Sequence, residues 1–244
     1  MRSENKIDLR LITRKMLSLG LPALVLAVTA SAAIVTTPAG SATSGPVSAS
    51  ATFITGNGFV NITLTDLQIN PSNSSQLLSS LSFTLDSGAT SGTLFMNTGT
   101  QVSVNSTGTP SMGSNGSVGW GLTNNGTGGM QLSAGGSTGL IIGLPSSGGT
   151  YSSAGSTIDG HSFVLQSVQF IIDISGVTSN TKITSATFGF GTTPGQFSVK
   201  GCLSTDSTCG QTTLSLVSQV PEPVTLLLTG SGLIGLFFLR RRRA

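Results

Sequence analysis

Ser137 stands in Gly135-Gly136-Ser137-Thr138-Gly139, the G-x-S-x-G pattern in which serine hydrolases hold a nucleophile on a strand-to-helix elbow. His161 is the one histidine of the chain, with Asp159 and Asp173 near it, so the residue types of a Ser-His-Asp relay are present on paper. Their setting argues otherwise. Gly and Ser are common enough here for the pattern to arise by chance, and no strand-elbow-helix run surrounds Ser137. Gly230-Ser231-Gly232-Leu233-Ile234-Gly235 matches the dinucleotide pattern G-x-G-x-x-G but lies inside an apolar segment with no βαβ unit after it, and reads as close helix packing in lipid. Asp66, Asp86, Asp159, Asp173 and Asp206 stand singly, without the D-x-D-x-D-G spacing of a calcium loop, which leaves only a calcium site built from distant loops open. One histidine and two cysteines cannot build an ordinary zinc centre. The residues therefore point to a protein without catalytic residues, metal or cofactor.

Three further sites have a structural and a functional reading. Cys202 and Cys209 enclose six residues, and if the chain is exported to an oxidising compartment, as its N-terminus below implies, a disulfide closing that loop is expected, worth about 2 to 2.5 kcal/mol. A redox pair would need the tighter C-x-x-C at a helix N-terminus. Trp120 and Tyr151 each have a ring that can stack on a sugar, the chemistry of a carbohydrate-binding module, but Trp120 alternates with Val118 and Leu122 as a core residue would. Asn61, Asn73, Asn105, Asn115 and Asn125 each begin N-x-S/T, a pattern that comes cheaply in a chain with 38 Ser and 33 Thr.

Charged residues make up only 8% of the 244-residue chain, aromatics 5%, and the formal net charge is +3. Charge this sparse excludes the basic stripe of a nucleic-acid binder. The basic residues are also unevenly placed. Arg2, Lys6, Arg10, Arg14 and Lys15 precede an apolar run over 16–28 that ends in Ala30-Ser31-Ala32, the layout of a secretory signal peptide with cleavage after Ala32. Residues 1–32 are thus expected to pass through the Sec translocon and be removed, with 33–50 left as a flexible linker. At the other end an apolar run over 224–239 is followed at once by Arg240, Arg241, Arg242 and Arg243. Sixteen residues give about 24 Å of helix, short of a 30 Å hydrocarbon core but workable with snorkelling arginines, which would fix that end in the cytoplasm. Between these ends, residues 33–220 hold two lysines and five aspartates, a charge of −3.

Pro221-Glu222-Pro223 stands just before the apolar run, and two prolines keep this strip extended and accessible. The order of Pro221-Glu222-Pro223, the apolar run and the arginine cluster resembles the PEP-CTERM sorting signal. That resemblance implies an exported protein of an exopolysaccharide-producing Gram-negative bacterium. Exosortase, a membrane-embedded cysteine transpeptidase, would cut it at the tripeptide, and its setting would be the cell surface or the exopolysaccharide matrix. Residues 61–85 (NITLTDLQINPSNSSQLLSSLSFTL) and 183–191 (ITSATFGFG) are similar to other exported PEP-CTERM proteins, a likeness that implies no particular activity.

The elements between the ends follow a period of two. Val60, Ile62 and Leu64 alternate with polar residues, and Gly56-Asn57-Gly58 joins this stretch to 51–55 as a hairpin. Further strands are predicted at 81–85, 101–104, 117–122, 139–144, 162–174, 182–190, 196–199 and 213–217, with one short helix at 74–80. The spacing and the Gly, Ser, Asn and Pro connectors argue for an all-β, antiparallel β-sandwich or jelly-roll-like domain over 51–218. The sorting signal follows at 219–244, with its transmembrane helix at 224–239.

Overall fold

The computed structural model describes residues 31–204, apart from 39, 43–44, 125–127 and 153–156. The chain there is all-β. β4 (Ala49–Gly56) and β5 (Phe59–Asp66) show why: Ala49, Ala51 and Phe53 on one strand, and Val60, Ile62 and Leu64 on the other, are buried at every second position. They pair from Ala49↔Asp66 to Gly56↔Phe59, and Gly58 takes φ 83° in the two-residue turn, a conformation that favours glycine.

The other strands are β1 (Ser31–Thr36), β2 (Gly40–Ala42), β3 (Gly45–Val47), β6 (Leu78–Leu85), β7 (Thr93–Val104), β8 (Pro110–Ser117), β9 (Trp120–Asn124), β10 (Met130–Ala134), β11 (Ile141–Ile142), β12 (Ser162–Asp173), β13 (Ile183–Phe190), β14 (Phe197–Lys200) and β15 (Cys202–Leu203). β2 and β3 pair only with each other; the remaining thirteen strands form one hydrogen-bonded network. Within it the pairings trace two layers, β9-β10-β6-β13-β14 and β8-β7-β12-β5-β4-β1-β15. Their inner faces meet ring to ring. Phe53 of β4 lies 5.6 Å from Phe83 of β6, and Trp120 of β9 lies 5.2 Å from Phe170 of β12, both in the tilted geometry aromatic pairs prefer.

Two short pieces join the layers. β11 pairs antiparallel with β6 through Ile141↔Leu78 and parallel with β12 through Ile141↔Val164. On the other side, residues 197–204 change layers within eight residues: β14 pairs with β13, Gly201 N–H donates to the Ala186 carbonyl, and β15 pairs with β1 through Thr36↔Cys202 and Val35↔Leu203. A Cβ on Gly201 would meet Phe188 at 2.8 Å and Val35 at 2.5 Å, so only glycine fits the crossing.

Several sequence expectations are corrected. Residues 33–50 are not a flexible linker: they hold β2, β3, most of β1 and the start of β4, with Val35, Val47 and Ala49 buried. Their alanines, glycines and hydroxyls look like a linker, yet small side chains are what the inner face of this edge accommodates. The domain therefore starts by Ser31 rather than at 51. A cut after Ala32 would fall inside β1, removing the Ser31↔Thr55 and Ala32↔Ile54 pairs and leaving four others. The helix expected at 74–80 is a single 3-10 turn, Ser74–Gln76, capped by Asn73, before β6 begins. The strand expected at 139–144 shrinks to Ile141–Ile142, because Leu140, Ile141 and Ile142 are buried without alternation at the seam between layers. β8, exposed along nearly its whole length, and β10 are additional strands. The strand expected at 213–217 and the helix at 224–239 lie outside the described residues, within which no helix is long and apolar enough to cross a membrane.

Candidate functional site

No hydrogen bond links the Ser137, His161, Asp159 and Asp173 side chains to one another. Ser137 is exposed in the 3-10 turn Ser137–Gly139, between β10 and β11 and not at a strand-to-helix elbow. His161 is exposed just before β12, its ring 6.5 Å from that of Phe163. The two aromatic rings offered as sugar contacts must be corrected. Trp120 is 4% exposed and Tyr151 2%, so neither presents a face to a ligand. The Trp120 indole N–H donates to the Gly139 carbonyl at 2.6 Å and the Tyr151 hydroxyl to the Gly143 carbonyl at 2.9 Å. Each ring fills the core while its polar atom satisfies a buried carbonyl of the loop that carries β11. Cys202 is half-buried at the start of β15. Cys209, Ala30, Pro221, Glu222, Pro223 and Arg240 to Arg243 lie outside the described residues.

Two features that sequence reasoning missed stand out. Asp66 ends β5 with its side chain inward and 1% exposed. The Gln68 N–H donates to Oδ1 at 2.9 Å, while Oδ2 is buried with no partner. Burial holds this carboxyl well above the usual carboxylate range, against the opposing pull of the backbone amides of Gln68, Leu78 and Gly143. Burial, and secondarily the Asp66 charge, also raise the Tyr151 phenol above its ordinary value. Counting by twos from Val60 puts Asp66 on the inner face, and that was the available signal.

The second feature is a solvent-open groove of about 470 Å³ on the outer face of β5, β12, β7 and β8. Thr63, Thr98, Asn115, Gln166, Ser167 and Gln169 line it, and no charged side chain does. Gln166 takes φ 60°, a left-handed conformation rare for a side chain of this size, at a bulge between Leu165 and Val168. There β12 exchanges its neighbour β11 for β5. The sequence carries a trace of this: buried positions move from Phe163 and Val164 to Val168, Phe170 and Ile172, a slip of phase within one strand. The registers also align a polar row through the groove, Thr52 to Thr63 to Gln169 to Thr98 to Ser117, one residue on each of five adjacent strands.

No curated protein and no solved structure matched the chain. The family model that does match is that of the PEP-CTERM protein-sorting motif, over residues 219–243, where the proline pair, apolar run and arginines stand in order. The chain is therefore a PEP-CTERM sorting-signal protein, of the exported kind that exosortase processes at the membrane.

Proposed function

We propose that this protein is a non-enzymatic structural component of the cell surface or extracellular matrix, associated with exopolysaccharide. The observation that carries the reading is the sorting motif at 219–243 placed after a weakly acidic, hydroxyl-rich β domain. Residues 1–32 direct the chain to the Sec translocon, and the helix at 224–239, with Arg240 to Arg243 in the cytoplasm, holds it in the membrane until exosortase acts at Pro221-Glu222-Pro223. The domain is a sandwich of the jelly-roll-like kind, and a Cys202–Cys209 disulfide fastens the chain just beyond β15. Two features favour a structural role over catalysis: Ser137 and His161 sit in exposed turns and flanks, and buried aromatic pairs, Phe53 with Phe83 and Trp120 with Phe170, tie the layers together.

Replacing Pro221, Glu222 and Pro223 with alanine in the producing cell tests the sorting step. The variant is expected to stay in the membrane fraction at precursor mass; release at the wild-type rate would overturn the reading.

A further inference from the structure

We infer that the groove at the Gln166 bulge binds a segment of a neutral polysaccharide, laid across the strands along the row Thr52, Thr63, Gln169, Thr98 and Ser117. This rests on the matrix reading above and names the surface that serves it.

The lining selects the ligand class by exclusion and by match. An anionic ligand needs cations, and the only lysines among the described residues, Lys182 and Lys200, lie just before β13 and on β14, in the other layer. An apolar ligand needs apolar walls, and Leu165 is the single large apolar residue of the lining. What remains is dense in hydroxyls and carboxamides. Thr and Ser hydroxyls both donate and accept, and Asn and Gln amides offer two donors beside an acceptor. A sugar hydroxyl, itself donor and acceptor, is the complementary group. The groove is a shallow depression open to solvent, so an extended chain can lie across it.

The row favours a polymer over a single sugar. Adjacent strands lie about 4.8 Å apart, so a chain crossing them meets a fresh polar side chain at each step. The bulge adds to this. Regular alternation would offer every second residue of β12 to one face, whereas Leu165, Gln166 and Ser167 line the groove consecutively. The left-handed backbone at Gln166 is maintained in the middle of β12, a local strain of the kind found at ligand sites.

The test uses the exported protein recovered from its producing cells, presented with cellulose, curdlan, dextran and galactomannan, and with anionic alginate as contrast. The expected result is retention on at least one neutral glycan, insensitive to salt. The paired change Thr98→Val with Gln169→Ala should weaken retention at least tenfold without moving the thermal midpoint. Gln166→Gly should weaken it while leaving the midpoint unchanged or higher, because glycine relieves the backbone. Retention on none of the neutral glycans, salt-sensitive retention on alginate alone, or undiminished retention of the paired variant would each overturn the inference. Fractionation of the wild-type culture separates this from the broader reading. Protein found in the matrix without neutral-glycan retention sinks the groove alone, whereas groove-dependent retention with no protein in the matrix sinks the matrix role alone.

Discussion

At Trp120 and Tyr151 the same physical property, an apolar body with one polar atom, suits a sugar platform and a buried tie to a core carbonyl equally well. Burial decides for the tie. Alternation with Val118 already pointed Trp120 inward, but Tyr151 lies in a Gly- and Ser-rich loop whose sequence has no period to read. As the one tryptophan of the chain, Trp120 reports directly on its setting: emission should be blue-shifted and resistant to acrylamide until the protein unfolds, and ready quenching in the native state would contradict its burial. Trp120→Phe should cost about 1–3 kcal/mol of stability in urea unfolding, because the Gly139 carbonyl loses its donor while the ring volume is largely kept. Asp66 gives a pH signature. Its folded-state carboxyl titrates above its unfolded value of about 3.9, so the native state holds the proton more tightly. That contribution is fully present below about pH 4 and is lost as pH rises through the folded value. The thermal midpoint should therefore fall on going from pH 4 upward, and Asp66→Asn should remove that part of the slope. Parallel curves for the two proteins would show that Asp66 is not the titrating group. Only three other aspartates, two lysines and one histidine lie among the described residues, so the background is small.

At the scale of elements, legibility followed alternation. β5, β12, β13 and β14 were readable because more and less buried positions trade places along them, and the Gly56-Asn57-Gly58 hairpin because its turn chemistry is local. β1 and β8 were not: Val35 is the single buried residue among the described side chains of β1, too few for a period to show, and β8 is an edge strand with almost no buried face. The bulge at Gln166 and the layer crossing at Gly201 depend on neighbours distant in sequence, which no local pattern encodes. Gly201 is the sharper test of the closure. A methyl group there would press on Val35 from β1 and Phe188 from β13, the two strands that residues 197–204 join. Gly201→Ala should cost about 1–3 kcal/mol, as overpacking does, and should speed hydrogen exchange at the β1 and β15 amides first. An unchanged denaturation midpoint would mean that the crossing has room to spare.

For the whole molecule, charge distinguishes what is delivered from what delivers it. Residues 1–32 carry five basic and two acidic groups, residues 33–220 two lysines and five aspartates, and residues 221–244 four arginines and one glutamate. These segments have charges of +3, −3 and +3, so the chain's formal +3 belongs entirely to its ends. On the proposed reading both ends engage the membrane, where positive charge fixes orientation, while the domain between them is weakly acidic and owes its polarity to hydroxyls and amides. Each proposed processing step therefore removes three positive charges, and the precursor, the form lacking residues 1–32, and the released form should carry +3, 0 and −3. Isoelectric focusing of membrane and culture fractions, with intact mass on each band, reads this ladder directly. The released protein is expected at the acidic end with both termini trimmed, and the form accumulating in the alanine variant of Pro221-Glu222-Pro223, which lacks the Glu222 carboxylate, one charge to the basic side of the neutral step. Released protein focusing at the basic position of the precursor would show that neither end had been cut, and the partition of the chain into address and cargo would then be wrong.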